Sequence, residues 1–247
     1  MRSKSKTPKI ILISLSILLL LSIVELGLAA QTIEVGRVTV NENWRTVRLN
    51  NNFRNPVVVA KPLSYNGGDP AVVRIQNVQR SSFQIRVQEW SYLDDEHADE
   101  MVSYIVIDQG NFVLGSNMRI EGGVVDTDAT GDFERVRFNT SFRQTPIVFT
   151  SVMTYNGPAP VVTRNQNVSR SGFELMMQEE EANEPQHAQE RISYIAIEPG
   201  SGSMGGRRFE VGRVSRINEN FQRINFGFGD STTIKVEEET SLTEEKS

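Results

Sequence analysis

The chain has 247 residues, of which 38% are hydrophobic, and it contains no cysteine. This length suits one or two domains of roughly 100–200 residues each, with cores that need no covalent links. The lack of cysteine excludes disulfides, thiolate catalysis and cysteine-based zinc sites.

The first 30 residues have the features of an export signal. Four basic residues precede an uncharged apolar run over residues 10–24, and two alanines stand just before Gln31. A signal peptide has about 7–15 apolar residues in its centre, whereas a membrane-spanning helix needs about 20. We therefore predict a signal peptide over residues 1–30 and a chain that is secreted or displayed at the cell surface. An uncleaved N-terminal anchor is the alternative; after cleavage, no membrane partner is expected.

The remainder of the chain is acidic. The full sequence has 26 Lys and Arg and 31 Asp and Glu, and residues 1–30 hold four of the bases and one of the acids. Residues 31–247 therefore carry 22 bases and 30 acids, a formal net charge of −8. Nucleic-acid binding needs clustered cations to contact the phosphates, so we expect no nucleic-acid partner.

Two copies of one sequence pattern follow each other, 90 positions apart. The Tyr-Asn-Gly triplet at Tyr65–Gly67 recurs at Tyr155–Gly157, and the match from Pro56 to Gly110 needs no gap. A repeat of this length predicts two modules with the same fold, over residues 31–118 and 119–209.

A third copy begins and then stops. The segment Glu34–Val38 recurs at Glu210–Val214, and the pattern ends near Gly229. We predict a partial third repeat over residues 210–229 and a disordered acidic tail over residues 230–247. Two interpretations of the partial repeat stay open: it adds an edge strand to a neighbouring unit or subunit, or it is a relic of a longer array.

Each copy has the pattern of short β-strands. Phe83–Trp90 alternates apolar and polar residues, which is the period of a half-buried strand. Pro56–Ala60 and Pro146–Thr150 are apolar runs behind a proline, and Gly, Asn, Asp and Pro occupy the joints between such runs. No helical period stands out, and short strands separated by turn residues indicate a sandwich or a small barrel. We predict an all-β fold: two tandem antiparallel β-sandwich modules with a partial third repeat, since about 90 residues is a normal size for one small sandwich.

The order of residues in the first copy resembles the H-type lectin domain. A phenylalanine, a proline-valine run, an arginine, a second phenylalanine, a tryptophan and a Ser-Tyr-Ile-Val-Ile strand occur in that order: Phe53, Pro56–Val59, Arg74, Phe83, Trp90 and Ser103–Ile107. The Tyr-Asn-Gly and His-x-x-Glu elements are also similar to repeats of exported bacterial proteins. The resemblance covers residues 36–110 and 122–200, and it implies a six-stranded sandwich that binds N-acetylgalactosamine or related sugars and self-associates.

The resemblance also implies sugar-binding positions. It places Trp90 against the apolar face of a sugar, and it makes Arg74 and Arg164 the nearest matches to an arginine that contacts the sugar. The second copy has Glu180 in place of Trp90, and Ser91 stands where the family often has a histidine.

Polar and charged side chains that could bind a ligand are most concentrated in the segment Trp90–Glu100 and in its counterpart at residues 180–190. Each segment has a histidine and a glutamate three positions apart, His97 with Glu100 and His187 with Glu190. These pairs would bind sugar hydroxyls or a cation, or they would stabilise the loop by hydrogen-bonding to each other. One histidine and one or two acids per copy are few ligands, so we predict no metal site and no cofactor, with calcium the ion that these carboxylates would best suit.

Other candidate residues also have two interpretations. Trp90 and Tyr92 form either a stacking platform for a sugar or ordinary packed aromatics. Arg74 and Arg164, with Gln88 and Gln178, either face a ligand or form a buried polar network.

The sequence does not indicate catalysis. It has no Gly-x-Ser-x-Gly, His-Glu-x-x-His or phosphate-loop motif, and each copy has a single histidine.

Our first hypothesis is therefore a secreted, non-catalytic, lectin-like protein that binds glycans or glycoconjugates and forms homo-oligomers. Its predicted ligand-binding residues are Trp90, Tyr92, Arg74, His97, Glu100, Arg164, His187 and Glu190. The alternative is a structural or adhesive extracellular repeat protein that self-assembles without a small-molecule site, and a glycan-acting enzyme ranks third.

Overall fold

The structure is a computed structural model that describes residues 33–180, 187–204, 207–215, 220–225 and 227. The predicted signal peptide and the predicted acidic tail lie outside these residues. In the described part of the chain, no helix is long and apolar enough to cross a membrane.

The first six strands form one antiparallel sandwich, here called unit 1. The strands are β1 (Ile33–Val40), β2 (Arg45–Arg48), β3 (Pro56–Ala60), β4 (Ala71–Gln79), β5 (Ser82–Glu89) and β6 (Glu100–Asp108). One sheet has the order β1-β6-β3 and the other has the order β2-β5-β4.

The next strands repeat this arrangement as unit 2. They are β7 (Gly110–Leu114), β8 (Met118–Thr127), β9 (Glu134–Arg137), β10 (Ile147–Val152), β11 (Val161–Ser169), β12 (Gly172–Glu179) and β13 (Glu190–Ile197), with a short 3-10 helix at Gly115–Asn117. The sheets have the orders β10-β13-β8-β7 and β11-β12-β9, so unit 2 matches unit 1 with β7 added at one edge. The predicted all-β fold of tandem antiparallel sandwiches is confirmed.

Each unit has its own apolar core between its two sheets. In β5, Phe83, Ile85 and Val87 are fully buried, and the residues between them point to the other side of the sheet. Phe173 and Leu175 occupy the equivalent positions in β12. Burying one such side chain contributes about 1.5–3 kcal/mol, so the alternation seen in the sequence accounts for the inner faces of both units.

A third apolar core joins the two units. Val57 and Val59 of β3 pack in it with Phe149 of β10 and Ile195 of β13, while Val58 faces the core of unit 1. Strand β3 is therefore buried on both faces, which explains why it is a continuous valine run rather than an alternating one. The two units form one packed body instead of two independent modules.

Hydrogen bonds reinforce this shared core. The hydroxyl of Ser193 on β13 donates to the carbonyl of Val58, at 2.5 Å. The backbone N–H of Ala60 donates to the hydroxyl of Ser151, at 3.1 Å. Both bonds link strands of different units, so these particular polar groups inside the interface are satisfied.

The partial third repeat begins with a β-strand whose pairing resembles that of the corresponding strand in unit 2. Strand β15 (Arg207–Val211) pairs antiparallel with β14 (Gly200–Met204), as β8 pairs with β7. The backbone N–H of Gly227 donates to Glu210 at 2.9 Å, a bond that Asn50 makes to Glu34 in unit 1. The described part of β15 thus pairs with the segment just before it, not with a strand of unit 1 or unit 2.

The shared core predicts that both units unfold together. Replacing Val59 with alanine removes buried methyl groups on the unit 2 side of β3 and should lower the free energy of unfolding by about 1–3 kcal/mol. Far-ultraviolet circular dichroism reports all strands, and tryptophan fluorescence reports unit 1, which holds both tryptophans. The two signals should shift together, and Val113→Ala at an exposed position of β7 should shift neither. Separate transitions, with only one of them moved by Val59→Ala, would contradict a common core.

Candidate functional site at the joint between the units

One buried carboxylate fixes the Tyr65–Gly67 turn of unit 1. Glu100, the first residue of β6, accepts hydrogen bonds from the backbone N–H groups of Asn66 at 2.9 Å and Gly67 at 2.8 Å. The hydroxyl of Ser64 donates to the same carboxylate. These bonds keep the pKa of Glu100 below its usual value even though burial acts in the opposite direction.

His97 lies between two carboxylates beneath this turn. Its Nδ1 is 2.7 Å from Glu89 and its Nε2 is 3.4 Å from Glu100. A β-carbon on Gly67 would come within 2.5 Å of Nε2, so the glycine is required for this close approach. The His-Glu pair of the sequence is thus a loop-stabilising arrangement in this structure, and both side chains are buried.

Unit 2 repeats the arrangement around Glu190. Its carboxylate accepts from the backbone N–H groups of Asn156 at 2.9 Å and Gly157 at 3.1 Å, and from the hydroxyl of Thr154. His187 contacts Glu179 through Nδ1 and Glu190 through Nε2.

These contacts shift the pKa values of the pair in opposite directions. Burial lowers the pKa of His187, but its hydrogen bonds to Glu190 and Glu179 outweigh burial and leave the pKa raised. Burial raises the pKa of Glu190, but its bonds from His187, Thr154 and the turn outweigh burial and leave that pKa lowered. The pair therefore favours an imidazolium next to a carboxylate.

Arg74 connects unit 1 to the turn of unit 2. It is on β4, has no exposed surface, and donates through Nη2 to Glu190 at 3.2 Å and to the carbonyl of Gly157 at 3.2 Å. Its Nη1 donates to the carbonyl of Ala159 at 2.5 Å. Burial lowers the pKa of Arg74 to about 10, and the nearby carboxylate of Glu190 opposes this shift.

Gln88 completes the binding of the turn. Its amide nitrogen donates to the carbonyl of Pro158 at 2.7 Å, and its amide oxygen accepts from Arg74 at 3.2 Å. Together Arg74 and Gln88 bind three consecutive backbone carbonyls, those of Gly157, Pro158 and Ala159. This is a sheet surface that recognises the backbone of a turn.

Aromatic contacts surround the same joint. The ring of Tyr155 lies 4.5 Å from the Arg74 guanidinium, within the range of a cation–π contact. The edge of Trp44 meets Tyr155 at a centroid distance of 5.4 Å, and Arg86 donates to the Tyr155 hydroxyl at 3.0 Å. Unit 1 therefore holds both the ring and the backbone of the turn.

The remaining predicted site residues occupy different surroundings. Arg164 lies on β11 at the position matching Arg74, but it is partly exposed and its Nε donates to Gln178 at 2.6 Å. Trp90 is partly buried just after β5, and Tyr92 is 61% exposed in the loop that follows. The structure thus brings Arg74 together with His187 and Glu190. Within the described residues, the side chains of Trp90 and Tyr92 make no hydrogen bond or ring contact with this cluster.

Sequence reasoning missed the partners that complete the joint. Tyr155, Trp44 and the carboxylates Glu89 and Glu179 were not singled out as site residues. The Gln-Glu pair at the end of β5 does recur at the end of β12, and this was the available signal for the carboxylates. No pattern in the sequence indicated that Arg74 contacts a residue 116 positions away.

Comparisons with known proteins give one informative similarity. The chain is 38% identical over 205 residues to "Halomucin" of Haloquadratum walsbyi (strain DSM 16790 / HBSQ001), an alignment that covers 77% of this chain and 2% of that protein. The chain therefore matches only a small part of a much longer relative. No protein-family model matches the chain, and no solved structure matches it.

The repeat provides a matched test of the joint. Arg74→Met leaves the buried carboxylate of Glu190 without its arginine, and losing one partner of a buried pair costs about 3–5 kcal/mol. Arg164→Met changes the same residue type at the matching, partly exposed position and should cost far less. Urea unfolding of both variants measures the difference. Equal losses would contradict a joint that depends on Arg74.

The raised pKa of His187 predicts a pH dependence. A protonated ring stabilises the folded state, and this contribution is fully present below the ordinary pKa of 6.5 and is lost as the pH rises through the higher folded value. His187→Gln should therefore reduce stability most at pH 6 or below, and its difference from the wild type should shrink at higher pH. Unfolding free energies measured from about pH 5.5 to 9 check this. A difference that grows with pH would contradict it.

Proposed function

We propose that the chain is a structural and adhesive repeat segment of a protein that acts outside the cell, and that it has no catalytic role and no cofactor. The observation that carries this proposal is the joint: Arg74 and Gln88 of unit 1 bind the turn of unit 2. The polar groups that the repeat preserves are thus used to attach one unit to the next.

The surroundings of the histidines support a non-catalytic role. His97 and His187 are buried, and both nitrogens of each ring face carboxylates, of which the one at Nε2, Glu100 or Glu190, also holds a turn. A general acid or base needs to contact the substrate proton that it transfers. Side chains engaged in this way instead stabilise the two turns.

Location outside the cell has two lines of support. The N-terminal segment has the pattern of a signal peptide, and the similar protein carries the name of a mucin. On the strength of that name and of the signal pattern, we place the present chain outside the cell as part of the proposal.

Recognition of glycans is the second candidate function. It is favoured by Trp90 and Tyr92, two positions apart after β5, of which Tyr92 is largely exposed. An exposed ring face packs well against the C–H groups of a sugar. Arg74, by contrast, has no exposed surface available to a ligand.

A pair of binding assays separates the two functions. Beads coated with residues 31–247 should cluster with one another if the segment is adhesive, and free mono- and oligosaccharides should not disperse them. The same protein on a glycan array should give no signal that depends on Trp90 or Tyr92.

Variants make the assays decisive. Array signals that disappear in Trp90→Ala and Tyr92→Ala would favour glycan recognition over the adhesive role. Beads that stay dispersed at every protein density would overturn the adhesive role.

A further inference from the structure

Unit 1 binds the turn of unit 2 through a surface on its sheet. The matching positions of unit 2 form a counterpart of this surface. We define the unit 2 face by Phe133, Arg164 and Gln178, which match Trp44, Arg74 and Gln88. The arginine and glutamine are hydrogen-bonded to each other in both units, at 2.6 Å in unit 2 and 3.2 Å in unit 1.

The unit 2 face is more exposed than its counterpart on unit 1. Gln88 is buried against the turn of unit 2, whereas Gln178 is exposed, and Arg164 is partly exposed whereas Arg74 is fully buried. The same arginine, glutamine and aromatic positions therefore occur twice in the chain, once with a turn bound on them and once with the arginine partly exposed and the glutamine exposed.

Unit 1 carries the matching turn, and that turn is exposed. We define turn 1 as residues 65–70, the counterpart of residues 155–160. Tyr65 is 73% exposed, whereas Tyr155 is partly buried, and Pro70 is exposed whereas Pro160 is buried. The carboxylate of Glu100 nevertheless binds the N–H groups of Asn66 and Gly67 as Glu190 binds those of Asn156 and Gly157, so the first part of turn 1 is held in the same way as its counterpart.

The chemistry of the joint permits this second pairing. Arg74 and Gln88 bind backbone carbonyls, and the change from Pro158 and Ala159 to Gly68 and Asp69 in turn 1 keeps a carbonyl at both positions. The side chain of Asp69 also adds a negative charge that complements an arginine.

The partial third repeat already contacts turn 1 within the chain. Phe221, which matches Trp44, meets Tyr65 edge to face at a centroid distance of 5.6 Å, much as Trp44 meets Tyr155 at 5.4 Å. Phe221 is 88% exposed and leaves most of Tyr65 uncovered. In the described part of the third repeat, no residue matches Arg74 or Gln88, so the carbonyls of turn 1 are not bound as those of residues 157–159 are.

We propose that the unit 2 face of one copy binds turn 1 of a second copy, head to tail, and that Phe221 competes for Tyr65 from within the chain. In this contact Arg164 donates to the carbonyls of Gly67 and Asp69 and lies close to Glu100, while Phe133 packs on Tyr65. The contact joins two different surfaces, so it generates chains or rings of copies. It rests on the proposed adhesive function and specifies the partner as another copy of this chain.

Sedimentation velocity of residues 31–247 over a range of concentrations tests the contact. The wild type should show a mass that increases with concentration, and Arg164→Met should weaken association at least tenfold in Kd. Arg48→Met, at an exposed arginine of β2, is the charge-matched control and should behave as the wild type. Phe221→Ala should strengthen association because it removes the competitor for Tyr65.

Mixing two defective variants tests the direction of the contact. Arg164→Met has an altered face and an intact turn 1, and Tyr65→Ala has an altered turn 1 and an intact face. Each alone should be mainly monomeric, whereas an equimolar mixture should form a heterodimer. Failure of the mixture to associate would overturn the head-to-tail contact, as would a wild type and Phe221→Ala that stay monomeric throughout.

The outcomes distinguish this inference from the proposed function. If coated beads cluster and Arg164→Met clusters as well as the wild type, the adhesive function stands and this contact is wrong. If the beads do not cluster and no variant associates in solution, both are wrong.

Discussion

The guanidinium of Arg74 has no exposed surface, and removing a charge from water to such a position costs several kcal/mol. The folded chain offsets this cost with the carboxylate of Glu190, two carbonyls and the ring of Tyr155. All of these partners belong to unit 2, while Arg74 belongs to unit 1. Gln88 of unit 1 is a further partner of Arg74, but the compensating charge, carbonyls and ring are present only when the two units are docked. This makes the docked state specific as well as stable.

Two types of interaction hold the units together. The shared apolar core around Val59, Phe149 and Ile195 supplies burial, which is strong but tolerates small shifts. The polar joint has directional bonds to three consecutive carbonyls, so it fixes the position of one unit on the other. A segment that transmits tension or packs into an array requires this kind of fixed geometry, and it is consistent with the proposed role outside the cell.

The sequence predicted the fold well because the signals were local. Alternation in Phe83–Trp90 and the 90-residue repeat were sufficient to predict strands and tandem sandwiches. The valine run Pro56–Ala60 was recognised as a strand, but periodicity cannot show that its second buried face contacts another unit. The close packing of the two units depends on that second buried face, and the sequence did not predict it.

The candidate site was only partly predictable, because local sequence patterns do not show which residues contact the other unit. The spacing of His97 and Glu100 indicates that they pair, but it is compatible both with ligand binding and with stabilisation of the loop. Arg74 and Arg164 match within the repeat, yet Arg74 is buried at the joint and Arg164 is partly exposed. Local sequence does not distinguish them because their difference depends on which unit lies next to each.

A double-mutant cycle between Arg74 and Glu190 tests the central claim most directly. Unfolding free energies of Arg74→Met, Glu190→Gln and the double variant give the coupling between the two side chains, and the matching cycle uses Arg164→Met and Glu100→Gln in the same chain. The account predicts a coupling of about 1–3 kcal/mol for the first pair and a value near zero for the second pair in the monomer. A coupling near zero between Arg74 and Glu190 would contradict a joint that is built on their contact.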